Sequence, residues 1–247
     1  AALLPAPRPR ASISASLAPQ IAGLQAALLA GFGAGFRAEV KDDHAMGCFP
    51  AGATAGEGGA VFEGGGVRVR SRGYLALPKL AWVASNGVAS GGRVGFELAA
   101  NVAPNYDAPH LLVRVAMGKA EGDVLVDVDF VPREDLPASP EYLKRFYAPL
   151  ESSWFRPFLA TPGLRLRSPS GVLLESAASS PLSVSASVPS SSFAAVETLC
   201  LSALEAWMRN LEAPVEVNRM RRGVMYTRDS AMHKARWAGW CARLAGE

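Results

Sequence analysis

HLLVRVAM (His110–Met117) and VLVDVDFV (Val124–Val131) are the stretches whose reading decides the fold. Both alternate with a period of two and are rich in valine, which packs well on a pleated surface, so each predicts a strand. The connection between them is short and carries the turn signal Glu121-Gly122-Asp123, which makes them antiparallel neighbours. The same period extends backwards through RVGFELAAN (Arg93–Asn101), YLALPKLAWVA (Tyr74–Ala84) and VRVRSR (Val67–Arg72), with Asn86-Gly87 and Gly91-Gly92 as further turn signals. Downstream, residues 168–192 contain eleven serines, a density typical of linkers. Yet Leu182, Val184, Ala186 and Val188 alternate with Ser183, Ser185 and Ser187, which predicts one more strand with one face buried.

Helices are expected on both sides of this run. One spans about residues 18–30; another opens at Ser139-Pro140, with serine as cap and proline in the first turn, and breaks near Pro149. Ser190–Ser192 offer a cap to the clearest helix, whose Val196, Leu199, Cys200, Ala203, Leu204, Trp207, Met208 and Leu211 fall on one stripe. A last helix is expected from about Asp229 to Leu244. Strands bracketed by helices predict an α+β fold, an α/β/α sandwich with a central, largely antiparallel sheet of about six strands flanked by helices.

With 247 residues, 49% hydrophobic and 19% charged, the chain can close one sizeable core and is not disordered. Residues 1–38 read as an N-terminal extension with a short helix, and 39–247 as one domain. The extension is rich in Ala, Ser, Leu and Pro and lacks acids, the composition at the edge of a transit peptide, which points to the chloroplast stroma or a mitochondrion. The uncharged run 11–36 is interrupted by Pro19, Gln20, Gln25 and glycines, so a packed helix is expected rather than a transmembrane span. Cys48, Cys200 and Cys241 are spaced for neither a disulfide framework nor zinc, so no metal site is expected, and Cys200 reads as a packing residue. GEGGAVFEGGG (Gly56–Gly66) lacks the Gly-Lys-Ser/Thr of a phosphate cradle and reads as a loop before a strand.

The net charge of +3 is unevenly placed. Residues 214–247 hold seven basic residues against Glu216, Asp229 and Glu247, while the middle of the chain is acidic, which argues against a nucleic-acid binder. The basic end is either a solvated helix face or a docking patch for an acidic partner. On the strand Val124–Val131, Leu125, Asp127 and Asp129 share one face and Val126, Val128 and Phe130 the other. The two acids line a polar cavity or face solvent. Arg114, in a strand interior, wants a carboxylate, either Glu97 on a neighbouring strand or one brought by a ligand. His110 and His44 read as surface or turn residues, and His233 lies in a basic stretch.

DFVPREDLPASPEYLKRFY (Asp129–Tyr147) combines an Asp-ending strand, an Arg-x-Asp-Leu turn and a Pro-Glu-Tyr-Leu-Lys helix start. It resembles the red chlorophyll catabolite reductase family, and the similarity continues through RSPSGVLLESAASSP (Arg167–Pro181) and LEAWM (Leu204–Met208), covering roughly residues 67–212. The resemblance implies the ferredoxin-dependent bilin reductase fold, with an open-chain tetrapyrrole between the sheet and the C-terminal helices. It implies no bound flavin, metal or nicotinamide, in keeping with the lack of a dinucleotide fingerprint. Reduced ferredoxin is then the electron donor, and the protein supplies the protons. Asp129, Asp229 and Asp127 become the candidate catalytic acids, Arg114 and Glu97 the substrate-binding pair, and Arg219, Arg221, Arg222, Arg228, Lys234 and Arg236 the ferredoxin docking patch. A homodimer is compatible with this reading. The position of Arg114 carries an acid in the family, so a catalytically silent tetrapyrrole-binding or structural protein of the same fold is the alternative.

Overall fold

The computed structural model describes residues 11–36, 54–56, 59–64, 67–75, 79–118, 122–167, 180–212 and 214–231, with side chains at 17–36 and from 79 onward within those ranges. Among the described residues nine strands form one sheet: β1 (Thr54–Gly56), β2 (Gly59–Gly64), β3 (Val67–Leu75), β4 (Leu80–Ser90), β5 (Arg93–Val102), β6 (His110–Met117), β7 (Asp123–Val131), β8 (Arg165–Leu166) and β9 (Val184–Pro189). Their order is β1-β2-β3-β4-β5-β6-β7-β9-β8, and every neighbouring pair is antiparallel. The sheet is therefore wider than the six strands expected. The additional strands include β2 in the glycine-rich stretch read as a loop, where it pairs along its length with β3, and β1 at the start of that stretch. Glycine lowers strand propensity without removing the backbone donors and acceptors that build the ladder.

The Asn86-Gly87 turn is also corrected, since both residues lie inside β4, opposite Glu97 and Phe96. The reversal comes at Gly91-Gly92, with φ of +55° and +78°, the left-handed conformation a two-residue hairpin demands. YLALPKLAWVA is likewise two strand ends, with β3 closing at Leu75 and β4 opening at Leu80. Lys79, just before β4, has φ +65° and donates through Nζ to the carbonyls of Leu211 at 2.6 Å and Glu212 at 3.1 Å, close to the C-terminus of a helix, where a cation is favoured.

Helix α1 runs Ala11–Phe36, longer than expected, with Pro19 inside it. Its Leu17, Ile21, Leu24, Leu28 and Phe32 are buried against the sheet, although by length and composition Leu17–Phe36 passes as a membrane span. A broken helical run follows β7: α2 (Pro140–Phe146), α3 (Ala148–Leu150), a π-helical turn Glu151–Phe155, and α4 (Arg156–Leu159). Ser190–Ser192 form a 3₁₀ turn that leads into α5 (Phe193–Asn210). Ser139 and Ser192 occupy the cap positions of α2 and α5, but neither side chain bonds a helix N–H. A sixth helix, α6, occupies 219–231, so it starts ten residues before the expected Asp229.

Helices α1 to α5 cover one face. There Phe96, Leu98, Val113, Val115, Val126, Val128, Phe130 and Val184 meet the α5 stripe, of which Val196, Leu199, Cys200, Ala203, Leu204, Trp207 and Leu211 are buried. Burial pushes the Cys200 thiol up, as expected of a packing residue. Trp207 Nε1 donates to the Pro109 carbonyl at 2.7 Å, tying α5 to the start of β6. The approach of α1 to α5 depends on glycine, since a Cβ on Gly31 falls 2.8 Å from Leu204 Cδ2 and one on Gly35 falls 2.7 Å from Met208 Sδ.

Candidate functional site

The face of the sheet turned away from this core is polar at its centre and still buried. One cross-strand row runs Asn86, Glu97, Arg114, Asp127 and Ser185 across β4, β5, β6, β7 and β9. Asn86, Glu97 and Arg114 are 2%, 1% and 3% exposed, so this face is not a solvated surface. Arg114 Nε donates to Glu97 Oε2 at 2.7 Å, which is the internal ion pair that sequence reasoning weighed against a ligand carboxylate. Asp127 is half-buried and accepts from Ser185 Oγ at 2.6 Å. Asp129, two residues on and opposite Leu112, is buried and accepts the backbone N–H of Ser180 at 3.1 Å. The alternation that placed both acids opposite Val126, Val128 and Phe130 therefore holds.

Beside the row, Arg228 and Asp229 of α6 line one cleft with Glu97, Asn101, His110 and Leu112. The approach of α6 is fixed first by backbone pairing: Tyr106 bridges Glu216, Val217 N–H donates to Asn105 O at 2.8 Å, and Val215 N–H donates to Asp107 Oδ1 at 2.9 Å. Arg145 pairs with the other oxygen of Asp107 and lies 4.3 Å over the Phe146 ring. The second fixing point is Asp229. Its Oδ2 takes Arg133 Nη2 at 2.8 Å and its Oδ1 lies 3.1 Å from His110 Nε2. Arg133 Nη1 also donates to the Ala103 carbonyl at 2.9 Å and to that of Tyr106, and the Arg133 backbone N–H donates to the Tyr142 hydroxyl at 3.2 Å. Burial pushes the Tyr142 phenol up, which keeps it a neutral partner here.

His110 is thus buried at the head of β6, not the surface or turn residue that the sequence suggested. The backbone N–H of Val102 donates to its Nδ1 at 3.0 Å, which places the proton of the neutral ring on Nε2, facing Asp229. Burial works against the charged form of Asp229, but His110 and Arg133 outweigh it and hold the carboxyl below its usual range. Asp229 is therefore an anion near neutral pH and a poor proton donor. It joins β6, the β7–α2 turn and α6, whereas Asp127 and Asp129 sit on the neighbouring stretch of β7.

Glu97, Asn101, His110, Leu112, Arg228 and Asp229 are among the residues that line a cleft of about 30 Å³ between the sheet and α6. Arg228 is half-buried there and forms no ion pair with any described residue. A larger cavity of about 430 Å³ lies on the α1 side, lined by Ile21, Gln25, Val94 and small residues, and holds no charged group.

The expected basic patch is partly outside the described residues, as Lys234 and Arg236 are, together with His44 and His233. Arg219 and Arg221 are exposed, the latter paired with Glu134, and half-buried Arg222 donates through Nε to the Val217 carbonyl at 2.9 Å. At about 100° per residue, Arg221 and Arg228 share one flank of α6 while Arg219 faces the opposite one.

Sequence reasoning assigned no role to His110 or Arg133. Arg133 stands in the PRED stretch that carried the resemblance, but its carboxylate partner is 96 residues away. The signal available was an opposite charge in each of two motifs.

Comparison with known proteins fits this arrangement. A model of the red chlorophyll catabolite reductase (RCC reductase) family matches residues 81–236. No curated protein matches the sequence significantly. Among solved structures, phytochromobilin synthase from tomato, determined in complex with biliverdin, is similar with a TM-score of 0.62 and 12% identity, covering 84% of this chain and 69% of that one. That likeness gives the fold, and the family match takes in β4–β9, α5 and α6 with the residues of the polar row and the Asp229 cluster. On this span the chain belongs to the red chlorophyll catabolite reductase family.

Proposed function

We propose that the protein reduces an open-chain tetrapyrrole of the red chlorophyll catabolite type in chlorophyll breakdown, in the chloroplast stroma, with reduced ferredoxin as the electron donor. The observation that carries this reading is the buried polar row of Asn86, Glu97 and Arg114, whose Glu97 shares a cleft with Arg228 and Asp229 of α6, in a chain of this family. A two-electron reduction of such a substrate takes up two electrons from the donor and two protons. A carboxyl held within hydrogen-bond reach of the reacting atoms is suited to the proton transfers. Asp129 and Asp127 are assigned that role, since both stand on the polar face and each accepts a hydrogen bond that orients it. Asp229 is assigned a positioning role: ionised, it holds α6 and His110 in register.

The cleft as it stands admits water rather than a tetrapyrrole. Binding therefore moves α6 outward, and the polar row becomes the floor under the rings. The exposed part of α6 then lies beside the substrate, where an acidic donor can approach the flank bearing Arg221. The Arg114 substitution favours a second reading, a silent tetrapyrrole binder. Anaerobic incubation of the protein with red chlorophyll catabolite and a reduced ferredoxin system separates the two. A blue-fluorescent product that forms only with reduced ferredoxin supports the proposal. An absorbance shift without product selects the silent binder, and neither change refutes both.

A further inference from the structure

Arg114 and Glu97 differ in what they offer a ligand. Arg114 is spent on Glu97 at 2.7 Å and is not among the residues lining the cleft, whereas Glu97 is. The sheet side of the cleft thus presents the Glu97 carboxylate and suits N–H donors, while Asp229, on α6, is taken up by Arg133 and His110. The rim differs: Arg228, on α6, is the one arginine of the lining, half-buried and without an ion pair among the described residues. A guanidinium in that setting has its desolvation partly incurred and its donors still to be matched, which is the condition for gripping a carboxylate in a fork.

We infer that Arg228 binds a carboxylate on the ligand's edge, while Arg114 only positions Glu97, which accepts from the ligand's ring N–H groups. This rests on the proposed tetrapyrrole reading and adds an orientation to it: N–H edge toward β5, carboxylate edge toward α6. It also removes Arg228 from the ferredoxin docking set and Arg114 from the residues that meet the substrate's acids.

The test is an absorbance titration of the full chain with biliverdin and with its dimethyl ester, which keeps the ring N–H groups and removes the charges. The wild type is expected to bind the acid about ten-fold more tightly than the ester, the scale of one charge-assisted contact at a partly exposed site. Arg228→Gln is expected to lose that preference with ester binding unchanged, and Arg228→Lys to keep part of it. Equal wild-type affinity for acid and ester, or an equal loss of both in Arg228→Gln, overturns the assignment and leaves the tetrapyrrole reading standing. A wild type that binds neither overturns the assignment, and the assay with red chlorophyll catabolite decides the proposed function separately.

Discussion

Removing the guanidinium of the buried Arg114–Glu97 pair should be among the most damaging single changes available on the polar face. In Arg114→Met the Glu97 carboxylate, 1% exposed, loses the donor that lies 2.7 Å from its Oε2. Breaking such a pair by deleting one partner costs about 3–5 kcal/mol, because a buried charge is left uncompensated. At about 2–4 °C per kcal/mol for a domain of this size, the melting temperature should fall by about 6–20 °C. Glu97→Leu alone strands the arginine and should cost a similar amount. The double variant, Glu97→Leu with Arg114→Met, removes both charges and should recover to within about 1–2 kcal/mol of wild type, since an apolar replacement of a buried pair is often near neutral. Urea and thermal unfolding of the wild type, both single variants and the double variant give the coupling free energy directly. A coupling below about 0.5 kcal/mol, the scale of additivity for independent sites, would refute the claim that each residue is held by the other.

Asp229→Asn tests the cluster that anchors α6. Because the folded carboxyl lies below its ordinary value, its stabilisation is complete above the unfolded pKa and is lost as pH falls through the lower folded one; the wild type should therefore lose stability from about pH 5 downward, while the asparagine variant shows a flatter acid limb in pH-dependent unfolding. In the reductase assay Asp129→Asn is expected to lower kcat by about a hundred-fold with little change in KM, as removal of a proton donor does; a purely higher KM counts against its role. Gly31→Val should cost about 1–3 kcal/mol by forcing α1 off Leu204, measured by denaturant unfolding, and an unchanged midpoint would show that α1 is loosely docked.

Local patterns in the chain told much of the fold. The alternation in Val124–Val131 specifies which side chains point into the core, and the Val196–Leu211 stripe specifies a packed helix, because both signals repeat within a few residues of themselves. Asn86-Gly87 misled for the same reason: a turn dipeptide states what a local stretch prefers, while the pairing of β4 with both β3 and β5 decided otherwise. The Arg114–Glu97 alternative was legible because two oppositely charged residues stood in adjacent strands. The Asp229 cluster was not, since His110, Arg133 and Asp229 are far apart in sequence and are brought together where the 105–107 and 215–217 segments pair.

On the proposed reading the tetrapyrrole lies on the polar face of the sheet rather than in the larger apolar cavity under α1. A crystal structure of the protein soaked anaerobically with red chlorophyll catabolite locates it. Ring density is expected over Glu97, Arg114 and Asp127, with α6 displaced outward relative to its ligand-free position. Density beside Ile21 and Val94 in the α1 cavity, with none over the polar row, would refute that placement.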